Sequence, residues 1–202
     1  MLLLRPDVLQ AMIKSGSRFC VIGHREFTTD LSGWAHLTPK NFWDARARGM
    51  GGSITDPLCS CAEENLLGYD GDLYSKESIT IHELAYNIHL RGMVNVDPSF
   101  DERAKKAYGS AMTEGLWAGK YASVNYHEYF AEGVQSWFDK NRPPDHDYNH
   151  VDTRQELIAY DPGLAVLCRE VFGDTKLTHT KPATRLHGHF NGYEPAKAPV
   201  FE

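Results

Sequence analysis

In the segment Ile79-Thr80-Ile81-His82-Glu83-Leu84-Ala85-Tyr86 a histidine is followed directly by a glutamate. In an H-E-x-x-H helix, two imidazoles one turn apart hold a single Zn(II), and the glutamate between them acts as general base on water. Here Tyr86 stands at the second ligand position. A phenol ordinarily titrates near pH ~10, but a bound cation can lower that value and take the phenolate oxygen. Tyrosine also reaches further than imidazole from the same helix position. A His/Tyr/Glu donor set is harder and more anionic than His/His/Glu, so it acidifies water less and suits Fe or Mn as well as Zn. Residue types alone leave three readings of Tyr86 open: metal ligand, inactivating change, or new catalytic group. A second stretch carries Glu128 and Glu132 at i and i+4. Like charges at that spacing repel by ~0.2–0.5 kcal/mol on a free helix. The pair makes sense if Glu128 faces a cation and Glu132 hydrogen-bonds a ligand histidine. Asn125 and Glu128 equally fit a capping box, and Glu132, Gln135 and Asp139 a solvated face.

Together the segments Ile79-Thr-Ile-His-Glu-Leu-Ala and Tyr121-(six residues)-Glu128-Tyr-Phe-Ala-Glu132 resemble the catalytic domain of the anthrax lethal factor type of gluzincin metallopeptidases. That family carries H-E-[FL]-[GA]-H followed by Y-x6-E-[FY]-[FW]-A-E, and the match spans about residues 75–140. The resemblance implies His82 and Glu128 as metal ligands, Glu83 as general base, Tyr121 as the phenol that stabilises the oxyanion, and Glu132 behind the ligands. Tyr86 is the departure, standing where the family has its second histidine. The resemblance further implies a zincin-like fold and a metal-dependent hydrolase acting on a peptide or small molecule. Two rivals come from the Tyr86 position. One is a lyase, isomerase or oxidoreductase built on a metal–tyrosinate pair, and the other an inactive zincin-fold binding protein.

Other histidines offer less. His89 lies seven residues beyond His82, ~10.5 Å along a helix, too far for the two rings to share one ion without strain. It is expected to be hydrogen-bonded and partly buried, with a place in the cleft as the alternative. His127 precedes Glu128 but points about 100° away on a helix of ~3.6 residues per turn, and reads as structural. The segment from Asp145 to His150 follows Pro143-Pro144 and reads as a polar loop, from which His150 could line a cleft. His187 and His189 form an H-x-H near the C-terminus. Dinucleotide, Walker and nucleophile-elbow motifs are absent, and Gly49-Met50-Gly51-Gly52 is a lone glycine-rich turn.

These side chains need helices to position them. Ser75 to about Arg91 reads as one, with Ser75 as N-cap and Gly92 as its stop, although Ile79-Thr80-Ile81 is β-branched and could be a strand. Ile81, Leu84, Ala85 and Ile88 form one stripe and His82, Tyr86 and His89 another, so this helix is mostly buried. Phe100 to Leu116 reads as a surface helix. Tyr126 to Lys140 is strongly amphipathic, with Tyr126, Phe130, Val134 and Trp137 on its apolar face. Shorter helices are expected at Asp7–Lys14, Asn41–Arg48, Thr153–Tyr160 and Pro162–Phe172, with a strand at Arg18–Ile22 and an irregular or partly stranded Ile54–Leu67. The sum is an α+β, mainly α-helical single domain over 1–202. In it the His82 helix (about 76–91) packs on the carboxylate helix (about 126–140), and an irregular tail occupies about 175–202.

With 202 residues, 42% hydrophobic and 24% charged, composition is that of an ordinary globular chain. Net charge is −6 with no basic run, which argues against nucleic-acid binding, and the apolar start Met1–Leu4 is far too short for a membrane span. Cys20, Cys59, Cys61 and Cys168 are too few for a disulfide scaffold, and C-x-C is not a zinc-knuckle spacing. Free buried thiols or one disulfide are equally compatible. The expected state is a monomer, and the chain would suit a mature form of a secreted precursor.

Overall fold

The computed structural model describes residues 4–177. His187 and His189, and nearly all of the expected tail, lie outside them. The architecture is α+β and mainly helical. An N-terminal helix, α1 (Pro6–Lys14), leads into β1 (Arg18–Ile22), and after a long irregular stretch come α2 (Lys40–Arg46), β2 (Gly49–Met50), β3 (Leu58–Ala62) and α3 (Glu63–Leu67). The three strands form a small sheet in the order β1-β3-β2, with β1 parallel and β2 antiparallel to β3. The stretch expected to be irregular or partly stranded thus contains the central strand, buried along its whole length.

Helix α4 (Ile79–Asn87) packs against β3 on one side and against α7 (Tyr126–Trp137) on the other. Its cap is Ser78 rather than Ser75, the Ser78 side chain accepting from the Ile81 amide at 3.4 Å. Two contacts hold the β-branched first turn helical. The Ile79 amide donates to Asn65 Oδ1 at 2.9 Å, and the Thr80 hydroxyl donates to Cys61 Sγ at 3.0 Å. Tertiary partners override the weak strand preference of Ile-Thr-Ile. Gly92 does not stop the helix. The chain continues through a π-helical turn, Ile88–Met93, into α5 (Val94–Val96). A Cβ at Gly92 would lie 2.7 Å from Val8 Cγ1 and 3.1 Å from Met12 Cγ, so this glycine is the notch into which α1 packs.

Helix α6 (Phe100–Thr113) is the surface element expected, and α8 (Arg154–Tyr160) and α9 (Pro162–Phe172) back α7. The main core gathers Tyr129, Phe130, Val134 and Trp137 of α7 with Phe100, Leu157, Leu164 and Val171. The opposite, polar side of α7 is not solvated. Glu132 and Gln135 are buried to within 1% of complete, turned toward α4. All four cysteines are free thiols. Burial pushes Cys59 and Cys61 up to about 12, so neither is a ready nucleophile.

Candidate metal centre

Asn125 starts α7 by accepting from the amides of His127 at 2.9 Å and Glu128 at 3.0 Å. This is half of the expected capping box. The Glu128 side chain does not reciprocate but crosses to α4, where its Oε2 lies 2.9 Å from His82 Nε2. The other oxygen, Oε1, accepts from the Tyr121 hydroxyl at 3.1 Å, and the Tyr86 ring lies beside the His82 ring with centroids 6.0 Å apart. Tyr121 is set by a short 3-10 turn, its amide bonded to Asp147 O at 2.8 Å and its ring stacked on Tyr148.

His82, Glu83, Tyr86, Tyr121 and Glu128 share one cleft of about 490 Å³. Its opposite wall is the strand β2 with Gly51, which sequence reading took for a lone turn. A Cβ at Gly51 would stand 2.5 Å from Tyr86 Cγ, so only glycine lets the strand lie this close to the phenol ring. Arg142, Asp147 and Tyr148 form the lip, so the loop after Pro143-Pro144 does reach the cleft. Neither histidine proposed as an extra cleft residue lines it. His89 is buried in a cage of Phe100, Tyr126, His127 and Phe130 with its Nε2 on Asp101, and His150 packs edge-on against Tyr160.

Behind His82, Nδ1 meets Gln135 Oε1 at 2.8 Å, while Glu132 Oε1 is 3.3 Å away and makes no hydrogen bond. The hydrogen-bonding partner of the ligand histidine, expected from sequence to be Glu132, is therefore Gln135. Glu132 is held from its other side by Asn141 at 3.0 Å. The signal for Gln135 was its spacing of seven from Glu128 on one helix face, which does not distinguish a solvated residue from a bonded one.

The electrostatics follow from this crowding. Burial disfavours charge on His82, but the hydrogen bond to Glu128 and the negative charges of the nearby Glu132 and Glu83 outweigh it and raise its pKa well above the ordinary value. Burial opposes ionisation of Glu128 too, and bonds from His82 and Tyr121 prevail, holding it low. Among the described residues, no such donor reaches Glu83. Desolvation, with repulsion from Glu128, pushes it up to about 7, in the range where a carboxylate both takes and returns protons. Burial and the Glu128 charge keep both phenols protonated.

A search of solved structures matches the Pro-Pro endopeptidase PPEP-2 from Paenibacillus alvei, with a TM-score of 0.55 and 15% identity over 82% of this chain and 83% of that one. The fold is zincin-like. No family model and no curated protein matches the sequence. Among the described residues of this zincin-like chain, no three His, Cys, Asp or Glu side chains are grouped to hold a metal ion. A nitrogen and a carboxylate do converge at 2.9 Å, and the Tyr86 phenol lines the same cleft as a third oxygen donor. As a donor set, N, O and phenolic O on two helices of one cleft wall fit a divalent or trivalent cation.

Proposed function

We propose that the protein is a metal-dependent hydrolase of the metallopeptidase kind, in which His82, Tyr86 and Glu128 hold Zn(II), with Fe or Mn as alternatives. The observation that carries this reading is the meeting of His82 Nε2 and Glu128 Oε2 at 2.9 Å in a cleft that also holds Glu83 and Tyr121. When bound, the cation polarises a scissile carbonyl and acidifies water. Glu83 takes the proton from the attacking water and returns it to the leaving amine, a task suited to a carboxylate pushed up to about 7. Tyr121 donates to the developing oxyanion, exchanging its bond to Glu128 for one to substrate. The substrate class is supported by β2. It is the end strand of the sheet, Gly49, Met50 and Gly51 line the cleft, and an extended peptide can add to its open edge.

The test is metal content followed by peptide cleavage. Protein dialysed against zinc is expected to retain close to one equivalent and to cleave an extended peptide library. Retention below about a tenth of an equivalent, with iron and manganese equally excluded, overturns the proposal in favour of a non-catalytic binding protein.

A further inference from the structure

We infer that Glu77 and Gln135 are positioning residues that fix the tautomer of His82, holding the proton on Nδ1 and turning the Nε2 lone pair toward the cleft. The inference rests on the metal-site reading above and adds to it the residues that prepare the nitrogen ligand. Gln135 is fully buried, and its amide has no freedom to turn round. Its Nε2 donates to Glu77 Oε2 at 3.1 Å and to the Ser78 carbonyl at 3.2 Å. Turning the amide over would set its oxygen against two acceptors and leave a buried NH2 facing His82. The oxygen therefore faces His82 Nδ1 at 2.8 Å, and a carbonyl oxygen only accepts, so Nδ1 carries the hydrogen.

Glu77 makes the assignment one-sided. Its side chain is buried beside the cleft, with the Tyr148 hydroxyl 3.5 Å from Oε2 and Arg142 Nη1 3.8 Å from Oε1. It can accept from Gln135 but gives it nothing to accept in return. The order Glu77, Gln135, His82 runs from the lip of the cleft to the ligand nitrogen. A neutral amide next to the ring also avoids a further carboxylate beside Glu132, which already stands 3.3 Å from Nδ1.

The experiment compares wild type with Gln135→Met, which keeps the bulk and removes the acceptor, and with Glu77→Gln, which removes the one-sided acceptor. Folding is checked by circular dichroism and thermal unfolding. Zinc affinity is read by competition with a chromophoric chelator, and the slowly exchanging imidazole N–H of His82 by NMR of ¹⁵N-histidine protein, with and without zinc. Wild type is expected to show the proton on Nδ1 in both states. Gln135→Met should lose the slow proton and bind zinc 10–100-fold more weakly, the usual cost of removing a ligand's outer partner. Glu77→Gln should broaden the signal and weaken zinc binding in the same direction. An Nδ1 without a proton in zinc-loaded wild type overturns the inference. So do folded variants that keep the signal and bind zinc within about twofold of wild type. Should wild type bind no metal, the functional proposal fails by itself; the metal-free ring, facing acceptors at both nitrogens, carries both hydrogens, and retention of its slow Nδ1 proton in folded Gln135→Met still overturns the part given to Gln135.

Discussion

His82 and His89 sit seven residues apart on adjoining turns, are both buried, and face the same partner helix, yet the two ends of that interface behave as opposites. At the His82 end, two carboxylates and a carboxamide surround the ring, so charge is favoured there despite burial. At the His89 end the neighbours are Phe100, Tyr126, His127 and Phe130, and one carboxylate, Asp101, does not offset the desolvation. Burial pushes His89 down to about 4. Its Nδ1 has no partner among the described residues, as fits a neutral ring donating through Nε2 to Asp101. A histidine on a buried face is thus a polar ligand candidate or an aromatic filler according to what the facing helix offers it. Here α7 offers Glu128, Glu132 and Gln135 at one end and its aromatic residues at the other.

The contrast can be broken at either end. On the proposed reading, in which Glu83 moves protons and does not hold the cation, Glu83→Gln should lower kcat for peptide cleavage by about 10²–10⁴-fold while zinc content stays at the wild-type value. A proportional loss of zinc would instead make Glu83 a ligand. At the aromatic end the readout is stability against pH. The unfolded chain protonates His89 near its ordinary value of 6.5 and the folded chain only near about 4, so the unfolded state binds protons first on acidification. Stability is full above about 6.5, falls through the window down to about 4, and loses up to ~3 kcal/mol from this group. His89→Leu should flatten that part of the profile in denaturant titrations, and an unchanged slope would remove His89 as its source.

Two smaller effects sharpen the polar end. Gly51→Ala should cost about 1–3 kcal/mol, since the new methyl meets the Tyr86 ring and neither the strand nor the ring can retreat freely. Activity should fall more than stability does, and equal losses would deny Tyr86 a part in the site. Tyr86→His restores two imidazoles one turn apart and should tighten zinc about tenfold by chelator competition. No change would place residue 86 outside the coordination sphere.

How much of this was legible in the sequence differs between the same two ends. The helical period placed His82 and Glu128 on two helices, the family resemblance tied Tyr121 to them, and these side chains meet. The apolar face of α7 was equally plain from Phe130, Val134 and Trp137. Periodicity records that a face is polar, not whether water or another helix covers it, so Gln135 read as a solvated residue. Gly49 to Gly51 read as a turn because a two-residue strand has no period, and its pairing depends on Ser60 and Cys61 some ten residues later. His89 was placed by its helical spacing from His82 and His150 by the composition of its loop, and neither reading shows the ring neighbours, which come from other segments.

The notch at Gly92 ties the first helix of the chain to the far end of the helix that bears His82. Ser15 adds a hydrogen bond from its hydroxyl to the Arg91 carbonyl, and the Arg91 guanidinium returns one to the Ser15 carbonyl. The same arginine clasps the carbonyls of Ser53 and Ile54 just beyond the glycine-rich strand. Trimming the first sixteen residues would therefore strip a buttress from the scaffold at a point remote from the chemistry, exposing Gly92 and Met93 to water and leaving one side of the cleft moored only through its neighbours.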